Sequence, residues 1–160
     1  PATSGEQETG MLRYLLICTI CLATAGCGGG ASEASPEEAV RAWVARGEAA
    51  AEDKNRGALL EMISGDYVDG RGNDREQIGD LLRIYFFRQN SIALLTSIDD
   101  ITIHDDSAAL VNLTVGMAGT NSSALGLSAD AYNFEFELER FDDDWQLIGA
   151  RWSKIGGQLH

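Results

Sequence analysis

The chain has 160 residues, 25 of them Asp or Glu against 12 Lys or Arg, for a net charge of −13. That length makes one domain with room for a real core. The charge repels phosphate backbones and anionic head groups, and no Lys/Arg cluster offsets it, so nucleic acid is excluded as a partner.

Residues 1–10 (PATSGEQETG) are polar, carry Glu6 and Glu8 and contain no Met, which reads as an over-extended start ahead of Met11. From Met11 to Gly26 a short positive start at Arg13 precedes the apolar run Leu15 to Ala23, then the small residues Ala25 and Gly26. That is the order of a secretory signal, and the run is shorter than the roughly 20 residues of a membrane span. With Cys27 next, the segment resembles a bacterial lipoprotein signal, departing from its usual pattern at Thr24. The resemblance implies a lipid on Cys27 and a membrane anchor. Gly28 after the cysteine, rather than Asp, fits sorting to the outer membrane, facing the periplasm. Plain cleavage after Ala23-Thr24-Ala25, leaving a soluble protein, is the rival. Cys18 and Cys21 have a redox-like C-x-x-C spacing but lie inside the apolar run and would leave with it, so Cys27 would be the one thiol left. Residues 27–35 then form a flexible tether rich in Gly and Ser. Beyond Gly26 the acidic residues number 23 and the basic ones 11, or about −12.

The domain proper runs over residues 36–156, with 157–160 as a tail. Ser35-Pro36-Glu37-Glu38 is a helix start, with Ser as N-cap, Pro in the first turn and Glu three residues on. Val40, Trp43, Val44, Gly47, Ala50 and Ala51 then fall on one face, and the helix should end near Asp53. A second, short helix is expected from Lys54, burying Leu59, Leu60, Met62 and Ile63 and stopping at Gly65. Asp66 to Asn73 reads as loop. Asp74 and Gln77 cap a third helix with Ile78, Leu81, Leu82, Tyr85 and Phe86 on one side.

After that the period changes to two. Ser91 to His104 is extended and turns at His104-Asp105-Asp106-Ser107. Val111, Leu113, Val115 and Met117 alternate with polar or small residues in the next strand, and a loop is expected over Gly119 to Ser128. Tyr132, Phe134, Phe136 and Leu138 alternate with Asn133, Glu135, Glu137 and Glu139, a half-buried strand with an acidic outer face. By that pattern Phe134→Ala is a core truncation of about 3–5 kcal/mol. Asp142 to Asp144 makes a hairpin turn into a last strand, Trp145 to Ile155, whose two faces are both mixed, so its register stays open.

Helices followed by antiparallel strands give an α+β class. The Trp43 helix, the Leu59-to-Tyr67 helix and loop, the Arg75-to-Phe86 helix and the Trp145 strand ending in Arg151-Trp152 carry a resemblance. Over Pro36 to Ile155 the chain resembles the nuclear transport factor 2-like superfamily, also called SnoaL-like or cystatin-like. The resemblance implies three N-terminal helices packed on a strongly curved, mainly antiparallel sheet, forming a cone with a pocket at its open end.

That family includes ketosteroid isomerases and dehydratases, whose chemistry needs a base in an apolar pocket with hydroxyl donors. Asp66 and Asp69 are the weak candidates for a base, and Tyr67, Tyr85 and Tyr132 for donors and pocket wall. Asp beside Gly in a loop is more often a turn cap in water, and no acid in a regular element stands at an inward position. No general base is therefore assigned. Arg151 and Trp152 are the recognition candidates: Arg151 points into the pocket in one register and pairs with Glu135 or Glu137 in the other, the second being favoured because it needs no ligand. His104 among Asp99, Asp100, Asp105 and Asp106 is a lone His in a turn, not a metal site, and no cofactor is expected.

Three functions follow. The first is a membrane-anchored domain, non-catalytic, whose pocket takes a small molecule or whose surface takes a protein partner. The second is an isomerase- or dehydratase-like enzyme acting on a small apolar substrate. The third is a subunit of an envelope assembly, with a homodimer as an open alternative.

Overall fold

A computed structural model describes residues 34–121 and 127–159. The signal segment, Cys27, the first part of the tether and the tip of the loop after Asn121 lie outside the described residues. Three helices, α1 (Pro36–Glu52), α2 (Arg56–Glu61) and α3 (Arg75–Arg88), precede four strands, β1 (Gln89–His104), β2 (Ala108–Asn121), β3 (Leu127–Phe141) and β4 (Asp144–Lys154). The strands form one antiparallel sheet in the order β1-β2-β3-β4. This is the expected α+β arrangement of helices on a curled sheet.

Local chemistry sets the helix boundaries. The Ser35 hydroxyl accepts from the Glu38 amide at 3.2 Å while the Glu38 carboxylate accepts from the Ser35 amide at 2.8 Å, a reciprocal cap that starts α1. Asp74 and Gln77 do the same for α3. The short α2 is capped by Asn55, whose side chain accepts from Ala58 N, and ends sooner than the apolar spacing suggested. Ile63 leaves the helix and lies parallel beside Leu147, with Leu147 N donating to Met62 O at 2.9 Å and Ser64 N to Leu147 O at 3.0 Å. The open edge of β4 offers backbone partners that one more helical turn could not, and it wins.

The loop after α2 continues along that edge. Val68 N donates to Ile148 O and Gly70 N to Ala150 O, at 3.2 and 2.9 Å. Asp69 closes the loop on itself: its carboxylate accepts from Arg71 N and Asn73 N, each at 2.8 Å, and from Asn73 Nδ2 at 2.7 Å. It is 5% exposed, so the expected water-facing cap is instead a buried hub satisfied by its own loop. Two arginines tie α2 to α3. Arg75 reaches Leu60 O through Nε and Nη2, and Arg56 Nε reaches Gly79 O at 2.7 Å. A Cβ at position 79 would stand 2.7 Å from Arg56 Nη2 and 3.3 Å from Leu60 Cδ1, so glycine there leaves room for the arginine as it is placed.

The pairing shifts register at three places, one of them between Gln89 and Ser91 at the start of β1, and the other two set which residues face inward. In β1 one falls between Ile98 and Asp100, and the inward residues change from Ile92, Leu94, Thr96 and Ile98 to Ile101 and Ile103. In β4 Leu147 pairs with Leu138 and Gly149 with Glu137, leaving Ile148 as the extra residue. Trp145 and Leu147 face the helices before it, Ala150 and Trp152 after it. This change of phase is why the last strand looked mixed on both faces. Between β1 and β2 the turn spans three residues, Asp105, Asp106 and Ser107; Asp105 and Asp106 both have positive φ, and Ser107 N donates to His104 O at 3.1 Å.

Candidate ligand cavity

The concave face of the sheet and the three helices border a half-open cavity of about 390 Å³. The α1 helix contributes Trp43, Val44, Gly47, Glu48 and Ala51; α2 and its loop contribute Leu59, Met62, Ile63 and Tyr67; α3 contributes Ile78, Leu81, Leu82 and Tyr85. The sheet supplies Leu94 and Thr96 from β1, Leu113, Val115 and Met117 from β2, Phe134 and Phe136 from β3, and Leu147, Ala150 and Trp152 from β4. The inward residues of every strand meet here because alternation puts them on the one face that curls toward the helices. An aromatic run crosses the floor: Trp43 meets Phe136 edge-on at 6.0 Å, Phe136 lies 5.4 Å from Phe134, and Phe134 stacks on Trp152 at 6.4 Å and 29°.

Polar groups in the wall are few. Tyr67 is 2% exposed, and burial, with Asp69 nearby adding to it, pushes its phenol well above the usual tyrosine range. The Tyr85 phenol is also raised, by burial first and then by the neighbouring Tyr132 and Asp130. Both therefore stay protonated near neutral pH and can donate. The Trp43 indole nitrogen is buried with no hydrogen-bond partner among the described residues.

Of the residues expected in the pocket, Tyr67, Tyr85 and Trp152 are in the wall, and Tyr132 and Arg151 are not. Tyr132 sits beside it, next to Lys154, whose Nζ lies 5.7 Å from the tyrosine ring and 2.7 Å from Asp130 Oδ1. Arg151 takes the other register and points to the outer face, hydrogen-bonded to Glu135 and 3.6 Å from Glu137. The bulge at Ile148 decides this, because it turns Trp152 inward and Arg151 outward. Neither aspartate lines the cavity: Asp66 is exposed in its turn, and Asp69 is engaged within its loop. Among the described residues no three His, Cys, Asp or Glu side chains cluster as metal ligands would.

One acidic residue does contribute to the cavity lining, Glu48, and no sequence pattern had drawn attention to it. The signal was present: Glu48 lies four residues after Val44 and three before Ala51, on the apolar face of α1. Among the described residues it has no hydrogen-bond or ion-pair partner.

Comparison with known proteins places this arrangement. No family sequence model matches the chain, and no curated protein sequence matches it. Solved structures do. A candidate scytalone dehydratase from Novosphingobium aromaticivorans superposes with a TM-score of 0.69 at 11% identity, over 78% of this chain and 85% of that one. A candidate dehydratase of the nuclear transport factor 2-like family from Streptomyces avermitilis gives 0.65 at 15%, over 75% and 97%. A ketosteroid isomerase-like protein from Erwinia carotovora atroseptica gives 0.61 at 15%, over 73% and 94%. At these identities the likeness is one of fold.

Proposed function

On a nuclear transport factor 2-like fold, we propose that this chain binds one small, mainly apolar molecule in the cavity between its helices and its sheet. The cavity carries the reading. Its volume of about 390 Å³ lies within the roughly 300–1,000 Å³ usual for small-molecule sites, and its wall is almost wholly apolar and aromatic. Titration with the neutral fluorophore N-phenyl-1-naphthylamine, in detergent-free buffer, tests it. Saturable binding of one molecule per chain is expected, and unsaturable or absent binding would sink the proposal.

A second reading has its own observation. Glu48 is an acidic residue in an apolar lining to which Tyr67 and Tyr85 also belong, the residue types that together move a proton next to a carbonyl. In this reading Glu48 takes an α-proton and returns it to the γ-carbon, while a tyrosine hydroxyl donates to the enolate oxygen. The fold neighbours named as dehydratases and isomerase-like proteins lend it weight. Conversion of cyclohex-3-enone to its conjugated isomer, followed by ultraviolet absorbance, provides the assay. Glu48→Gln should lower the rate at least about a hundredfold. A wild-type rate equal to that of buffer removes the enzymatic reading and leaves the binding one standing.

We also propose that Cys27 carries lipid and tethers the domain to the outer membrane on its periplasmic side. The support is the signal-like order of residues 11–26 and the small residues before the cysteine. Cys27→Ser should move the protein from the membrane to the soluble fraction. Equal partition of the two proteins counts against the anchor.

A further inference from the structure

We propose that the ligand of this cavity is an amphiphilic anion, an apolar body ending in a carboxylate or sulfonate, and that Arg71 holds the anionic end. The inference rests on the binding function proposed above and adds the charge and orientation of the ligand.

The Arg71 guanidinium stands 4.7 Å from the centre of the Trp152 ring. Trp152 belongs to the cavity wall and is itself stacked on Phe134; Arg71 is not a lining residue, but through Trp152 its cation stands next to the β4 end of the aromatic run. A cation–ring contact uses none of the guanidinium's N–H donors for hydrogen bonding, and a guanidinium with free N–H groups can grip a carboxylate in two-pronged fashion.

In so acidic a chain the surprise is that nothing neutralises this group. Arg41, Arg83, Arg140, Arg151 and Lys154 each pair with a carboxylate, and Arg56 and Arg75 are held by backbone carbonyls. Among the described residues the Arg71 side chain has no hydrogen bond and no ion pair. Among the described residues Arg46 and Arg88 also pair with no acid, but neither stands over the ring of a wall residue. Asp69, two residues away, has its carboxylate occupied by three donors of its own loop.

The two charges that flank the cavity lie on opposite sides. Glu48 is on α1 one turn before Glu52, whose carboxylate accepts from Leu94 N of β1 at 2.8 Å. Arg71 overlies β4, at the other edge of the sheet. An anionic ligand would therefore lie with its head at β4, away from Glu48, and its apolar body toward β1.

Two fluorophores with the same apolar body separate the alternatives. 1-Anilinonaphthalene-8-sulfonate carries a sulfonate, and N-phenyl-1-naphthylamine does not. Arg71→Met keeps an apolar stem over Trp152 and removes the charge. It should weaken the sulfonate at least about tenfold, as expected for a lost charge-assisted hydrogen bond, and change the neutral probe less than about twofold. Arg71→Lys should recover only part of the sulfonate affinity, lacking the planar fork. Unchanged sulfonate binding in Arg71→Met overturns the proposal, and so does an equal loss for both probes, which would make Arg71 a packing residue only. If neither probe binds the wild-type protein, the binding function itself is wrong.

Discussion

Leu138→Ala is expected to cost about 2–5 kcal/mol, the range for deleting a fully buried leucine side chain. Leu138 is 1% exposed and stands between Ala109 of β2 and Leu147 of β4, directly after the residue where the β3–β4 pairing shifts. The shift holds the backbone there on both sides, so the void cannot close by sliding the strands. Against a typical domain stability of about 5–15 kcal/mol, that loss should be plain in a urea or thermal melt. Its neighbour Glu137 is the control. It is exposed, its 3.6 Å approach to Arg151 is secondary to the Glu135 pair, and Glu137→Ala should change stability by no more than about 0.5 kcal/mol. Similar losses at the two positions would mean that the faces of β3 are inverted. Phe134, expected from alternation to be a full core residue, is only half-buried because its ring is cavity wall. Phe134→Ala would enlarge an existing space, so its cost should fall at the low end of about 3–5 kcal/mol.

Met117→Trp is expected to abolish most binding of N-phenyl-1-naphthylamine, lowering affinity at least about tenfold, equivalent to about 1.4 kcal/mol. Met117 lies in the cavity wall on β2 and is half-buried, with its side chain bordering open volume. An indole there would extend into the space a ligand needs. Overpacking in a filled core costs about 1–3 kcal/mol, and here the cavity can absorb the added volume, so a smaller change in stability is expected. Titration of the variant beside a melting curve separates the two effects. Undiminished binding by a folded Met117→Trp protein would put the fluorophore elsewhere, for instance on the exposed Phe87 and Leu95 of α3 and β1.

What the residue order settled by itself was local. Ser35 with Glu38, and Asp74 with Gln77, start α1 and α3 because a capping side chain bonds an amide only three residues away. The turn at Asp105-Asp106 and the acidic and apolar faces of β3 are decided over similarly short distances. The α+β class follows from a period of 3.6 giving way to a period of two. What depended on the folded chain was everything that distant partners decide. Ile63 leaves its helix because Leu147, far along the chain, offers an unpaired backbone edge. Asp69 is buried because its own loop is clamped onto β4, whereas Asp beside Gly reads locally as a solvated turn. The orientation of Arg151 and Trp152 depended on one extra residue, Ile148, since a bulge inverts every later side chain and alternation has no means to register it. Glu48 is the sharpest instance: its helix position fitted the apolar face, but only the curled sheet opposite turned that face into the wall of a cavity.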